Sequence, residues 1–167
     1  MEPILSTLAR RGKERFFLPF LTSKTAPILD VGCGSGLWEK HLRAHGFTNV
    51  TGLDLTSPAT VIGDIRDWRK LGLSKSSFDV VTIFEVLEHV ECLSDLTTLL
   101  KKGGLLMVTT PVPSRDWILK IFEMLRLTQP RGTEHVNLLD TRSIPGFRTV
   151  AYRTVGGLAQ WGVYEKL

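Results

Sequence analysis

Short apolar runs alternate along this chain with longer amphipathic stretches. Ile28-Leu-Asp-Val31, Val50-Thr-Gly-Leu-Asp54, Thr60-Val-Ile-Gly63, Phe78-Asp-Val-Val-Thr-Ile-Phe84 and Leu105 to Thr109 are brief and rich in β-branched residues, which predicts strands. Phe78 to Phe84 is nearly continuous in apolar residues, the pattern of a strand covered on both faces. Helical periods lie between these runs. Leu37 to His45 is closed by Gly46, and Leu93, Leu96, Leu99 and Leu100 make a stripe stopped by Gly103-Gly104. Residues 3–22 read as helix through Ile4, Leu5, Leu8, Phe16, Phe17 and Phe20, with Gly12 and Pro19 predicting a break. Ser114 is a cap for a helix whose inner face is Trp117, Ile118, Ile121, Phe122 and Leu125, and a polar loop follows from Thr128 to Asp140. Phe147 to Val155 and Leu158 to Tyr164 read as a hairpin that turns at Gly156-Gly157.

Strand and helix in alternation imply a parallel sheet with helices on both faces. The expected fold is α/β, doubly wound and Rossmann-like, mostly parallel, with an antiparallel C-terminal hairpin. A single domain over residues 1–167 accounts for the pattern, with residues 1–25 as an N-terminal helical cap. In such sheets ligands bind outside the carboxyl ends of the strands. The glycines after Val31, Asp54, Asp64 and the residues after Phe84 all sit at such ends, so they are expected to share one cleft.

Composition narrows the partners only a little. A formal net charge of +4 does not argue for nucleic acid, and no dense basic stripe with stacking aromatics is evident. Arg10, Arg11, Lys13 and Arg15 cluster near the N-terminus and read as a solvated helix face. Cys33 and Cys92 suggest no disulfide framework, the first residues have no signal-peptide layout, and no apolar run is long enough to span a bilayer. The expectation is a cytoplasmic protein.

The chemistry concentrates in Ile28-Leu-Asp-Val-Gly-Cys-Gly-Ser-Gly36. Glycines at 32, 34 and 36 let a ligand approach bare backbone, because no Cβ stands in the way. Leu37 stands where a dinucleotide fingerprint has its third glycine, which argues against a nicotinamide cofactor. Three acids follow in register. Asp54 is placed to accept both hydroxyls of a ribose, Asp64 the exocyclic amine of an adenine, and Asp30 a cationic amino group. A ligand with an amine, a ribose and an adenine, and no pyrophosphate, fits this set.

At these residues the sequence resembles the class I S-adenosylmethionine-dependent methyltransferases, closest to the small-molecule branch that includes enzymes of quinone biosynthesis. The resemblance runs through Ile28–Gly36, Thr51-Gly-Leu-Asp54, Gly63-Asp64, Phe78-Asp-Val-Val-Thr-Ile-Phe-Glu-Val-Leu-Glu-His-Val90 and Leu99–Pro111, in the family's order. It implies a seven-stranded sheet whose last two strands are antiparallel, and S-adenosylmethionine as cofactor with S-adenosylhomocysteine as product. It also implies Asp30, Gly32, Cys33, Gly34 and Gly36 for the methionine part, Asp54 and Leu55 for the ribose side, Asp64 and Ile65 for the adenine, and Phe84 and Glu85 near the sulfonium. The helix usual between the second and third strands is nearly absent, and the one before the sixth is cut to Thr141-Arg-Ser-Ile-Pro-Gly146, so the chain resembles a minimal form of the fold. A homodimer would be one way to complete the shortened wall.

Methyl transfer is a displacement in which the protein mainly aligns the partners, and a general base matters only if the nucleophile must lose a proton. His89, just after the fourth strand, and His135, in the polar loop, are the candidates for that base. For His89 a structural role in tying the following helix to the loop weighs equally. His41 and His45 are one helical turn apart but lack a third ligand, so they read as helix surface and no metal site is expected. Arg115, Trp117 and Arg131 are candidates for the substrate entrance; core packing for Trp117 and solvation for the arginines are the plainer readings. Cys33 reads as a small turn residue with no base in reach. The expected activity is methyl transfer from S-adenosylmethionine to a small-molecule acceptor. The alternatives are a non-catalytic cofactor-binding module and a methyltransferase of RNA or protein.

Overall fold

A computed structural model of the chain describes residues 4–113 and 139–167, with side chains from residue 11 onward. The elements are α1 (Ile4–Phe17), β1 (Ile28–Val31), α2 (Leu37–Ala44), β2 (Val50–Asp54), β3 (Val61–Ile62), β4 (Phe78–Phe84), α3 (Leu93–Leu99), β5 (Leu100–Pro111), β6 (Phe147–Val155) and β7 (Ala159–Lys166). The strands form one seven-stranded sheet in the order β3-β2-β1-β4-β5-β7-β6. All pairs are parallel up to β5, while β5–β7 and β6–β7 are antiparallel. Among the described residues this is the expected doubly wound sheet with its closing hairpin, turning between Val155 and Ala159.

The period-two alternation of the central strands assigns their side chains to two apolar layers. Leu29, Val31, Leu53, Val81 and Ile83 pack with Leu96 and Leu99 of α3 on one face. Ile28, Val50, Val80 and Met107 pack with Phe17 at the end of α1 and Leu42 of α2 on the other. The same alternation carries Asp30, Gly52, Asp54, Thr82 and Phe84 to the α1/α2 face. In the pairing register Asp30 lies between Gly52 of β2 and Thr82 of β4.

Several expectations are corrected. Gly12 does not break α1, which runs unbroken to Phe17. A glycine is needed there for packing, since a Cβ would stand 2.9 Å from the Trp161 ring. Pro19 does end the helix, inside a 3-10 turn over Leu18–Phe20. The glycines at 103 and 104 do not stop α3, which ends at Leu99. They lie within β5, which begins at Leu100 and accommodates them where its register with β4 shifts. The third strand contracts to Val61–Ile62 and the seventh extends to Lys166. No helix stands between β2 and β3, and only a turn occupies 141–146, as the shortened sequence implies. The helix expected after Ser114, the polar loop up to residue 138, and with them Arg115, Trp117, Arg131 and His135, lie outside the described residues. No described helix is long and apolar enough to cross a membrane.

Candidate functional site

The turn after β1 takes its shape from left-handed backbone at Gly32, Gly34 and Gly36 (φ +72°, +53° and +70°), a region that L side chains enter only at a cost. Gly32 N–H donates to the Leu53 carbonyl at 2.8 Å, and Gly34 N–H donates to Asp54 Oδ2 at 2.9 Å. A Cβ on Gly32 would collide with Val86, whereas the space beside Gly34 is open. The turn is thus pinned to β2 on one side and leaves bare backbone facing a cavity.

That cavity, of about 360 Å³, is lined by Asp30, Gly32, Cys33, Gly34 and Ser35 of β1 and its turn, by Leu37, Trp38 and His41 of α2, by Phe84 of β4, and by Lys13 and Glu14 of α1. It opens at the carboxyl ends of the parallel strands, where ligands bind in such sheets. A larger hollow of about 540 Å³ lies at the amino ends, between Phe20, Pro27, Asp79 and Lys102. It holds none of the glycine turn or its acids.

Asp30 is 3% exposed, and the Thr82 hydroxyl donates to it at 2.6 Å. Burial pushes its carboxyl up to about 7, with the negative charge of Glu39 adding to the effect and the Thr82 bond opposing it. Asp54 also accepts from the Thr56 N–H at 3.2 Å. The Asp64 carboxylate is gripped by Arg66 through three guanidinium contacts of 2.5–3.1 Å, and through the Arg66 backbone N–H at 2.9 Å. Arg66 holds the Asp64 carboxyl below the usual carboxylate range. Ile65 is buried in the α3-side core, whereas Leu55 stands 69% exposed on the β2–β3 connection.

Beyond β4, Glu85 sits at a left-handed φ of +58°, an uncommon conformation for a non-glycine residue. It accepts from the Thr109 hydroxyl at 2.7 Å and pairs with Lys13 at 3.4 Å. Desolvation works against its charge, but Lys13 and Thr109 outweigh it and hold the carboxyl below its usual range. With the Glu85 side chain 44% exposed, water screens the Lys13 attraction to a modest size. Glu88 is buried and accepts from the Thr110 hydroxyl at 3.1 Å; burial and the neighbouring Glu85 charge push it up to about 8. His89 lies in the turn after β4, its N–H donating to the Val86 carbonyl at 2.9 Å.

The structure therefore brings Asp30, the glycine turn, Cys33 and Phe84 to one cavity, with Asp54 bonded to its rim. Glu85 adjoins it through Lys13. The solvated reading of the basic cluster fails for Lys13, whose side chain is 21% exposed and whose ammonium also lies 5.3 Å from the Phe84 ring centroid. It holds for Arg11 and Arg15, which are exposed. The surface reading fails for His41. Its Nδ1 is 3.2 Å from Glu14 and its ring stacks on Trp38, so it joins α1 to α2. Sequence reasoning missed Lys13, Glu14 and Trp38 as cavity residues, because which face of α1 meets the sheet depends on non-local docking. The signal that marks it is the Phe16-Phe17 pair, which fixes the buried side of that helix. Cys33 behaves as a small turn residue, its thiol pushed up to about 12 by burial and the surrounding acids. No group of three or more His, Cys, Asp or Glu side chains arranged for a metal occurs among the described residues.

This sheet order, with the last strand inserted antiparallel beside the fifth and a glycine turn after the first, defines the methyltransferase form of the Rossmann-like fold. Residues 3–145 match the model of a family described as a methyltransferase domain, and the chain belongs to that family. Its cofactor is S-adenosylmethionine. A ubiquinone biosynthesis O-methyltransferase of Nitrosomonas europaea is 32% identical, over 68% of this chain and 56% of that protein. Another of that description, from Ralstonia nicotianae, is 28% identical over 74% of this chain and 61% of its own length. The chain thus spans roughly half of the curated relatives it matches. Among solved structures, a SAM-dependent methyltransferase from Archaeoglobus fulgidus superposes with a TM-score of 0.63 at 15% identity, covering 95% of this chain and 93% of that one. A geranyl diphosphate C-methyltransferase from Streptomyces coelicolor A3(2) gives 0.62 at 13% identity, over 95% and 81%. At such identities these two establish the fold.

The residues present suit the group. A buried acid that resists ionisation without a cation, an ammonium across the cavity from α1, and open backbone at Gly34 together match an amino-acid end that carries both charges.

Proposed function

We propose that this chain catalyses methyl transfer from S-adenosylmethionine to a hydroxyl of a small-molecule acceptor. The observation that carries the reading is Asp30, held between Gly52 and Thr82 and facing a cavity that Lys13 also enters. Asp30 takes the cofactor's ammonium group, and Lys13 its carboxylate. Gly32, Cys33, Gly34 and Gly36 supply the backbone against which the methionine part lies. Asp54 has acceptor capacity left for the ribose beside its bonds from Gly34 and Thr56. Asp64 and Ile65 serve the adenine, Arg66 sharing Asp64 with the exocyclic amine, and Leu55 covers that side. Phe84 and Glu85 border the reacting end.

When bound, the cofactor supplies a methyl group on a sulfonium that is already a good leaving group, so these residues bind, orient and exclude water. His89 and His135 are the proposed acceptors of a proton from the nucleophile. A small hydroxyl-bearing acceptor is supported by the O-methyltransferases among the relatives.

Thermal unfolding tests the cofactor. S-adenosylhomocysteine is expected to raise the midpoint and NAD to leave it unmoved, and Asp54→Ala to abolish the rise. Transfer is tested with methyl-labelled S-adenosylmethionine and separate metabolite, RNA and protein fractions. Label in the metabolite fraction is the expected outcome. Label confined to RNA or protein overturns the small-molecule reading, and stabilisation with no label anywhere makes the chain a binding module.

A further inference from the structure

Glu39 is a buried carboxylate that the cofactor contacts above leave unused. It stands in the first turn of α2, after the left-handed Gly36, and is only 9% exposed. An acid at that place favours the helix terminus, but it would do so equally well from the solvated side. A carboxylate taken out of water costs free energy unless something compensates. The pairing register sets where this one goes. Gly52 lies beside Asp30, both facing α2, and the missing side chain of Gly52 leaves the gap that Glu39 enters. A Cβ on Gly52 would collide with the Glu39 carboxylate and stand 2.9 Å from Cys33 Sγ. The Glu39 carboxylate and Cys33 Sγ thus share the space over Gly52, and a Cβ on Gly36 would lie 3.5 Å from Glu39 Oε1. One carboxylate therefore backs the glycine turn at two points and occupies the strand position next to Asp30.

We propose that Glu39 is a positioning residue for the ammonium end of the cofactor, filling the gap over Gly52 behind the glycine turn and placing a second carboxyl group beside Asp30. The proposal rests on the reading that Asp30 receives the amine. The groups facing Asp30 are the Thr82 hydroxyl from β4, Glu39 from α2, Lys13 from α1 and Asp54 from β2. Glu39 and Asp54 oppose its ionisation, and Thr82 and Lys13 favour it. Glu39 thus helps Asp30 keep its proton until a cation arrives. An incoming ammonium then meets one carboxylate in contact and a second behind it.

Glu39→Gln keeps the shape of the side chain and removes its charge. Two readouts are compared with wild type: S-adenosylhomocysteine affinity by calorimetry across the neutral pH range, and Asp30 ionisation in the free protein by carboxyl-carbon NMR, assigned with Asp30→Asn. Wild-type affinity is expected to rise with pH through about 7, as Asp30 ionises. In Glu39→Gln both midpoints are expected to move down together by about half a pH unit or more. Glu39→Ala, which also opens a gap behind the turn, is expected to weaken binding further; if it does not fold, Glu39→Gln alone decides. Weaker binding with unmoved midpoints means that Glu39 only shapes the helix, and it overturns the proposal, as does a variant identical to wild type. Wild type that binds no S-adenosylhomocysteine overturns the cofactor reading first and this proposal with it.

Discussion

Among the described residues, two carboxyls are pushed well above their usual range by where the fold puts them. Glu88 is 1% exposed beside Glu85, and its carboxyl rises from the usual 4.5 to about 8. In that window the folded state keeps a proton that the unfolded chain has lost, so stability falls as pH rises from about 4.5 to about 8. Glu88→Gln needs no proton and is expected to escape the loss. Its gain over wild type should reach about 1–3 kcal/mol at the alkaline end and vanish at the acidic end, read from urea unfolding. A gain of equal size at both ends would mean that packing, and not charge, sets the difference. Asp30 obeys the same sign over its own window, from 3.8 to about 7. Asp30 was legible from the sequence, because an acid closing an apolar run before alternating glycines is a local pattern. Lys13 and Glu39 were not. Each reads alone as a charge on a helix face, and only the docking of α1 and the bare position at Gly52 turn it inward.

At the scale of elements, α1 joins the sheet through a ring cluster. Phe17 is fully buried, 4.9 Å from Phe84 and 6.1 Å from Trp161 between ring centroids, and Arg153 stacks on Phe16 and Trp161. Edge and tilted contacts of this kind add to what burial alone supplies. Phe17→Ala is expected to cost about 3–5 kcal/mol by chemical unfolding. It is also expected to weaken S-adenosylhomocysteine binding, since Lys13 and Glu14 reach the cavity only while α1 is docked. Unchanged affinity in the folded fraction would show that α1 is not part of the site. The two misread glycine signals also belong to this scale. Gly12 reads as a breaker until Trp161 is seen against it, and Gly103-Gly104 reads as a helix stop although the helix has already ended at Leu99. In each case a partner distant in sequence decides what the glycine is for.

For the molecule as a whole, the alternation of strand and helix was enough to anticipate the parallel sheet and the closing hairpin, because short β-branched runs and the glycine turns between them are local signals. Strand order is not local. The family resemblance implied seven strands with the last two antiparallel, and the insertion of β7 between β5 and β6 is seen only in the structure. The shortened stretch from Asp54 to Val61 was visible as a simple deficit of residues. Its result is a border strand of two residues, Val61–Ile62, paired to one neighbour and with Ile62 55% exposed. Strands do not open together, and backbone with few buried neighbours exchanges its amide hydrogens through small local fluctuations. Deuterium is therefore expected to enter at Val61 and Ile62 well before Leu29, Val31 or Val81, which wait for global unfolding. Mass-spectrometric exchange would show uniform labelling instead if the sheet opened as one unit. S-adenosylhomocysteine should slow labelling most along this border, so that the thinnest part of the protein becomes the place where occupancy is most readily seen.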